Sequence, residues 1–154
     1  MRTLLRPKNR LVRSAQGGQA LVEFSLAVIP FLILLMGIFD LGRGIYMMNG
    51  TSEAAREISR VTIVHLDDGS GNLGFSADTT DVIATQRSLI PGLSIAPATD
   101  ITCVDELDQL IADNDCEPGD FIKVHVTATF EPITPIVSAF GSHTFSSISR
   151  MQIP

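Results

Sequence analysis

The sequence predicts an α+β protein. A long N-terminal helix, first apolar and then amphipathic, carries a small C-terminal antiparallel β-sheet domain. Three observations carry that prediction. Phe24 to Phe39 holds no charge, and Ala20 to Phe39 contains only Glu23. A weaker helical pattern follows, with Leu41, Ile45, Met48, Ala55, Ile58 and Thr62 near one face at three- and four-residue steps. Finally, Phe121 to Phe130 alternates: Val124, Val126, Ala128 and Phe130 interleave with Lys123, His125, Thr127 and Thr129.

The apolar run is long enough to cross a bilayer. Roughly twenty helical residues at about 1.5 Å rise cover about 30 Å, the hydrocarbon thickness. A soluble core helix of that length would keep a polar stripe, and this one has none. Charge is arranged asymmetrically around the run. Arg2, Arg6, Lys8, Arg10 and Arg13 precede it, whereas the chain beyond residue 18 carries a formal net charge of −11. The positive-inside rule puts the basic end in the cytoplasm and the C-terminal part outside. An acidic outer part argues against nucleic-acid binding. The expected organisation is a basic leader over 1–18, a transmembrane helix over 19–40, a helical extension over 41–65 and an extracytoplasmic α+β domain over 66–154. An ordinary secretory signal fits poorly, because the apolar run is long and Asp40-Leu41-Gly42-Arg43 is a poor exit from it.

Gly18 followed by Gln19-Ala20-Leu21-Val22-Glu23-Phe24 resembles a type IV prepilin cleavage site of the Flp/Tad kind. Phe39-Asp40-Leu41-Gly42-Arg43 and Ala54-Ala55-Arg56-Glu57-Ile58-Ser59-Arg60 are similar to the segments after the membrane helix in TadE-like minor pseudopilins. The resemblance implies cleavage after Gly18 by a prepilin peptidase. Gln19 would become the new N-terminus, with Glu23 fifth and Phe24 sixth. It implies a single-pass protein of the inner (cytoplasmic) membrane whose partners are other pilins and pseudopilins and the Tad assembly machinery. Major pilins of this kind are little more than the helix, so the large outer domain implies a minor subunit. The alternative is an uncleaved bitopic protein with an extracytoplasmic binding domain.

Within the helix, Pro30 removes one backbone hydrogen bond, and Gly37, Gly42 and Gly44 lie near the outer boundary. One helix over about 20–64 is expected, with a hinge near Asn49-Gly50 as the alternative. Asp67 to Ala77 reads as a loop. It contains Gly69-Ser70-Gly71-Asn72-Leu73-Gly74, but no preceding strand or βαβ unit makes that a dinucleotide site. Asp78 or Thr79 can cap a short helix to about Leu89, with Val82, Ile83, Gln86, Leu89 and Ile90 on its apolar side, and Pro91-Gly92 ends it. Leu93–Ile95 and Asp100–Val104 read as short extended pieces. Asp105 to Ala112 reads as a helical turn or two at the head of an acidic stretch over 105–120. A short helix is expected within 135–141. The last strand runs over 143–153 with Phe145 and Met151 on one face, paired antiparallel with 121–130.

Cys103 and Cys116 are the only cysteines. Outside the cytoplasm, an isolated pair framing one acidic loop most simply forms a disulfide. His65, His125 and His143 have no metal-ligand spacing, the acidic stretch lacks EF-hand spacing, and no nucleophile elbow or phosphate loop is present. No enzymatic activity, cofactor or metal is therefore expected. Glu23 is the costly residue, an acid one turn inside an apolar helix. It reads either as an interfacial acid reaching the headgroups or as an assembly carboxylate. In the second reading it pairs in low dielectric with the α-amino group that cleavage would create at Gln19.

Overall fold

The computed structural model describes residues 13–66, 76–111, 116–139 and 141–154. Most of the basic leader (1–12) and the loop over 67–75, with its Gly69–Gly74 motif, lie outside the described residues. So do residues 112–115 of the acidic stretch. The chain divides into two units, residues 1–39 and 40–154. Helix α1, Arg13–Val64, is 52 residues long and runs through both.

In the first unit α1 begins at Arg13, earlier than the start expected at Gln19. No proline lies between Arg13 and Pro30, and Gly17-Gly18 weakens the helix by about 1 kcal/mol per glycine without breaking it. The helix is continuous through Pro30 and later through Gly50. The apolar window of this helix is not buried within the chain. Leu26, for example, is 76 % exposed.

The second unit opens at Asp40, so the apolar run ends at Phe39 and Asp40 belongs to the folded domain. Here α1 buries Asp40, Met47, Thr51, Ala54, Ala55, Ile58, Ser59 and Thr62. The expected face is thus right from Ala55 onward and wrong before it: Leu41, Ile45 and Met48 are exposed. The buried stripe keeps the 3.6-residue period but starts one position earlier, on Asp40. Its hydroxyls are satisfied within the helix. Thr51 donates to the Met47 carbonyl (2.7 Å), Ser59 to Ala55 (2.7 Å) and Thr62 to Ile58 (2.8 Å). Gly50 is a packing position rather than a hinge. A Cβ there would stand 3.1 Å from Ile90 Cδ1 and Cγ1.

Helix α2, Ala77–Leu89, is capped by Ser76, not by Asp78 or Thr79. The Ser76 hydroxyl accepts from the Thr79 amide at 3.2 Å. Ile83 and Ile90 are buried, and Leu89 is exposed. The chain then forms β1 (Leu93–Ser94), the helical turn α3 (Pro97–Asp100) and β2 (Ile101–Val104). Strand β3, Phe121–Phe130, follows. Next come the short helix α4, Pro135–Ser138, and strand β4, His143–Gln152. All pairings are antiparallel. Strand β4 lies along the whole of one edge of β3, from Phe121↔Gln152 to Phe130↔His143. The other edge is shared, β2 against residues 121–124 and β1 against 127–128.

Alternation along β3 buries Ile122, Val124, Val126, Ala128 and Phe130, as the pattern predicts. Phe145, Ser147, Ser149 and Met151 form the inward side of β4. The buried β3 side chains form one core cluster with Ala54, Ala55 and Ile58 of α1 and Ile83 and Ile90, and Phe145 of β4 packs against it. Gly92 makes the approach of β1 possible. Its φ is +73°, and a Cβ would fall 2.6 Å from the Thr129 carbonyl oxygen.

Residues 105–110 form a tight turn and not the expected helical one. The Asp105 carboxylate accepts from the amides of Leu107 and Gln109, both at 2.8 Å. Asp108 takes φ +64°, and Val104 bridges to Leu110. Such local carboxylate-to-amide bonds compete with helix formation. Cys103 and Cys116 are joined as a disulfide, Cα–Cα 5.9 Å, with Cys103 fully buried on β2.

Candidate functional site

The residues singled out around the glycine all lie on α1. Gly18 has open space where a side chain would stand. Gln19 and Glu23 are exposed, as is Phe24 at 68 %. Leu21 and Phe24 are exposed apolar side chains of the same segment, and Ser25 turns its hydroxyl back to the Leu21 carbonyl at 2.7 Å. The site is therefore a linear one, a short exposed helical segment with an acid among apolar side chains.

A second carboxylate has the opposite setting. Asp40 is 4 % exposed and caps a loop distant in sequence. Its oxygens accept from the Ile133 amide at 3.1 and 3.0 Å and from the Thr134 amide at 2.7 Å. Arg43, one turn on, pairs with it at 3.2 Å and lies 5.5 Å from the centre of the Phe130 ring. Pro132 and Pro135 flank the two amides, and their fixed φ shapes the loop that presents them. The Thr134 side chain, the Thr134 and Ile133 amides and the Arg43 charge hold the Asp40 carboxyl at about 2, against an ordinary 3.8. Burial pushes the other way, by more than the Ile133 amide or the Arg43 charge but by less than either Thr134 contribution. The Thr134 hydroxyl is near this carboxylate yet unaligned. It is a buried side-chain oxygen without a partner among the described residues. The two amides have hydrogen-bond geometry and are the firm part of the arrangement.

Other polar groups pair locally. Lys123 meets Asp108 at 2.6 Å, which lowers the Asp108 pKa. Arg60 meets Glu57 at 2.7 Å, which lowers that of Glu57. His125 Nδ1 stands 3.7 Å from Asp100 and His65 Nε2 stands 3.2 Å from Asp78. A shallow groove of about 320 Å³ on the outer sheet face contains Asp100, Asp108, Lys123 and His125. Of its charges, Lys123 and Asp108 pair directly. Among the described residues no cluster of three or more His, Cys, Asp or Glu is placed to hold a metal.

The structure brings Cys103 to Cys116 but leaves Gly18, Gln19, Glu23 and Phe24 as a stretch of exposed helix. Asp40 is the residue that sequence reasoning missed as a structural group. Its available signal was an acid closing the apolar run with an arginine three residues on, and a Pro-flanked dipeptide far downstream.

These features define a class, a protein with one candidate membrane-spanning helix near its N-terminus that continues into a small antiparallel sheet domain. Residues 18–60 match the model of the TadE-like protein family, so that segment of the chain is similar to TadE-like proteins. No curated protein and no solved structure matches the chain.

Proposed function

We propose that the chain is a minor pseudopilin that serves as a structural component in building a Tad-type (Flp) pilus. In this reading it inserts with its basic leader in the cytoplasm and its acidic domain outside the inner membrane. A prepilin peptidase then trims it after Gly18. The supporting observation is the family match, which begins at Gly18 and takes in Glu23, Phe24 and the helix to Arg60. The physical reading agrees with it. An acid on a lipid-facing helix is penalised unless paired, and cleavage at Gly18 creates the amine that pairs with it, in the same or a neighbouring subunit. Gly17-Gly18 lowers helix stability at the cleavage point, by about 1 kcal/mol per glycine, which helps a peptidase to open it. The apolar helix stores the subunit in lipid and later packs against other helices. Mechanism is assembly, not turnover.

The second reading is an uncleaved membrane anchor with an outer binding domain. One experiment separates the two. The full chain is expressed with and without a prepilin peptidase and its intact mass is measured. Loss of residues 1–18 with the peptidase, abolished in Gly18→Ala and in Glu23→Ala, is the expected result. An unchanged mass with an active peptidase overturns the pseudopilin reading.

A further inference from the structure

We infer that the loop over residues 131–139 is a second membrane contact, an interfacial foot that rests the domain on the bilayer surface. The inference rests on reading the apolar run as a membrane span. Ile133 is its centre. The Ile133 side chain is 64 % exposed, while its amide is held 3.0 Å from an Asp40 oxygen. Asp40 is one residue, about 1.5 Å of helix rise, beyond Phe39, the last residue of the apolar run. If Phe39 marks the hydrocarbon boundary, the amides of Ile133 and Thr134 are tied to the boundary itself. A loop fixed there can turn an isoleucine into the interfacial layer, into a protein neighbour or into water, and burying that apolar surface in the interface is favoured over leaving it in water.

Lipid fits what surrounds it. The segment Pro132-Ile133-Thr134-Pro135-Ile136-Val137-Ser138-Ala139-Phe140 contains no charge. On the first turns of α1 past Asp40, Leu41 and Ile45 are also exposed, at 65 % and 53 %. Within the domain, exposed apolar side chains therefore stand on both elements that Asp40 ties together, the start of its helix and the loop at Ile133. The one ionic group in the tie is neutralised, since Asp40 is paired with Arg43. Exposed Glu131 and half-exposed Arg43 limit the depth, which sets an interfacial placement on the order of 5–10 Å into the headgroup boundary. Exposed apolar patches of this kind mark interaction surfaces.

The test uses the full chain, one copy per lipid nanodisc, with a nitroxide on Ile133→Cys. Oxygen and a water-soluble nickel chelate serve as accessibility probes. Ile29→Cys reports on the span. Leu107→Cys is the water reference, since Leu107 is 78 % exposed and lies by the Phe121 end of β3, roughly 30 Å of strand from the Phe130 end. The foot predicts that Ile133 is oxygen-accessible and several-fold less nickel-accessible than Leu107, at shallower depth than Ile29. If Ile29 reads as lipid but Ile133 reads like Leu107, the foot is refuted and the span stands. If Ile29 itself reads like Leu107, both fall. Low access to both probes at Ile133 places protein over the loop and overturns the lipid contact.

Discussion

Helix α1 has two halves built to opposite rules. Before Phe39 nearly every side chain is apolar, yet none of the apolar window is buried in the chain. After Asp40 the helix is far more polar, and there Ala54, Ala55, Ile58, Ser59 and Thr62 are completely buried. Hydrophobicity alone therefore ranks the two halves backwards. A helix apolar all round has no preferred face and needs an apolar solvent. A helix with small and self-satisfied polar groups along one stripe lets a sheet approach closely. The halves should then respond differently to the same chemical change.

The largest contrast comes from trimming one side chain in each half. Ile58→Ala empties a fully buried site against the sheet and is expected to cost about 2–5 kcal/mol. Leu34→Ala, at a position 61 % exposed, should leave domain stability within about 0.5 kcal/mol. Urea unfolding of the full chain in nanodiscs, followed by loss of sheet signal, measures both. Equal losses would mean that the apolar half also packs within the chain.

Next in size is the cross-link, which belongs wholly to the second unit. Cys103 and Cys116 are 13 residues apart, and closing that loop contributes about 3 kcal/mol in the chain-entropy model. Cys116→Ser should lower the unfolding free energy by about 3 kcal/mol while leaving membrane insertion unchanged. Coincident loss of insertion would show that the two halves depend on one another. Gly92→Ala should follow at about 1–3 kcal/mol, because an alanine there is strained in φ and meets the Thr129 carbonyl. Broken β1 pairing, seen as faster exchange of the Thr129 amide, which donates to the Gly92 carbonyl, locates the damage.

What was legible in the sequence follows the same division. The apolar run, the alternation of β3, the β3–β4 pairing and the cysteine pair each announce themselves through one dominant force, and each appears where expected. The face of α1 just past Phe39 did not. Leu41, Ile45 and Met48 present the more hydrophobic stripe, but Asp40 is drawn inward by two amides supplied from ninety-odd residues away. No local pattern encodes that partner. The turn at 105–110 was misread for a related reason. Asp105 satisfies the amides of Leu107 and Gln109 with its own carboxylate, so acidic residues that would suit a helix start instead hold a bend. At the other end of α1, the helix persists back to Arg13 because glycines lower helix stability without supplying a stop. The processing residues were legible only by resemblance, because an exposed helical segment assembles no site of its own.

The smallest effect on overall stability, and the sharpest locally, belongs to Asp40. Its folded pKa of about 2 lies below the ordinary 3.8, so the carboxylate stabilises the domain fully above the ordinary value. That contribution is lost as pH falls from there through about 2. Glu57 and Asp108 are also lowered, by Arg60 and Lys123, so global acid unfolding mixes three groups. The amides of Ile133 and Thr134 isolate one. Their hydrogen-exchange protection, corrected for intrinsic rates, should be constant near neutrality and fall as pH approaches 2. In Asp40→Asn one carbonyl oxygen replaces two charged ones, so protection should be lower at neutral pH and nearly flat on acidification. The amides of Val124 and Val126, deep in β3, should keep their protection in both proteins while the domain stays folded. Were the loop amides to remain fully protected in Asp40→Asn, the flanking prolines alone would hold the loop. The boundary between the two halves of α1 would then lack the tether that the carboxylate provides.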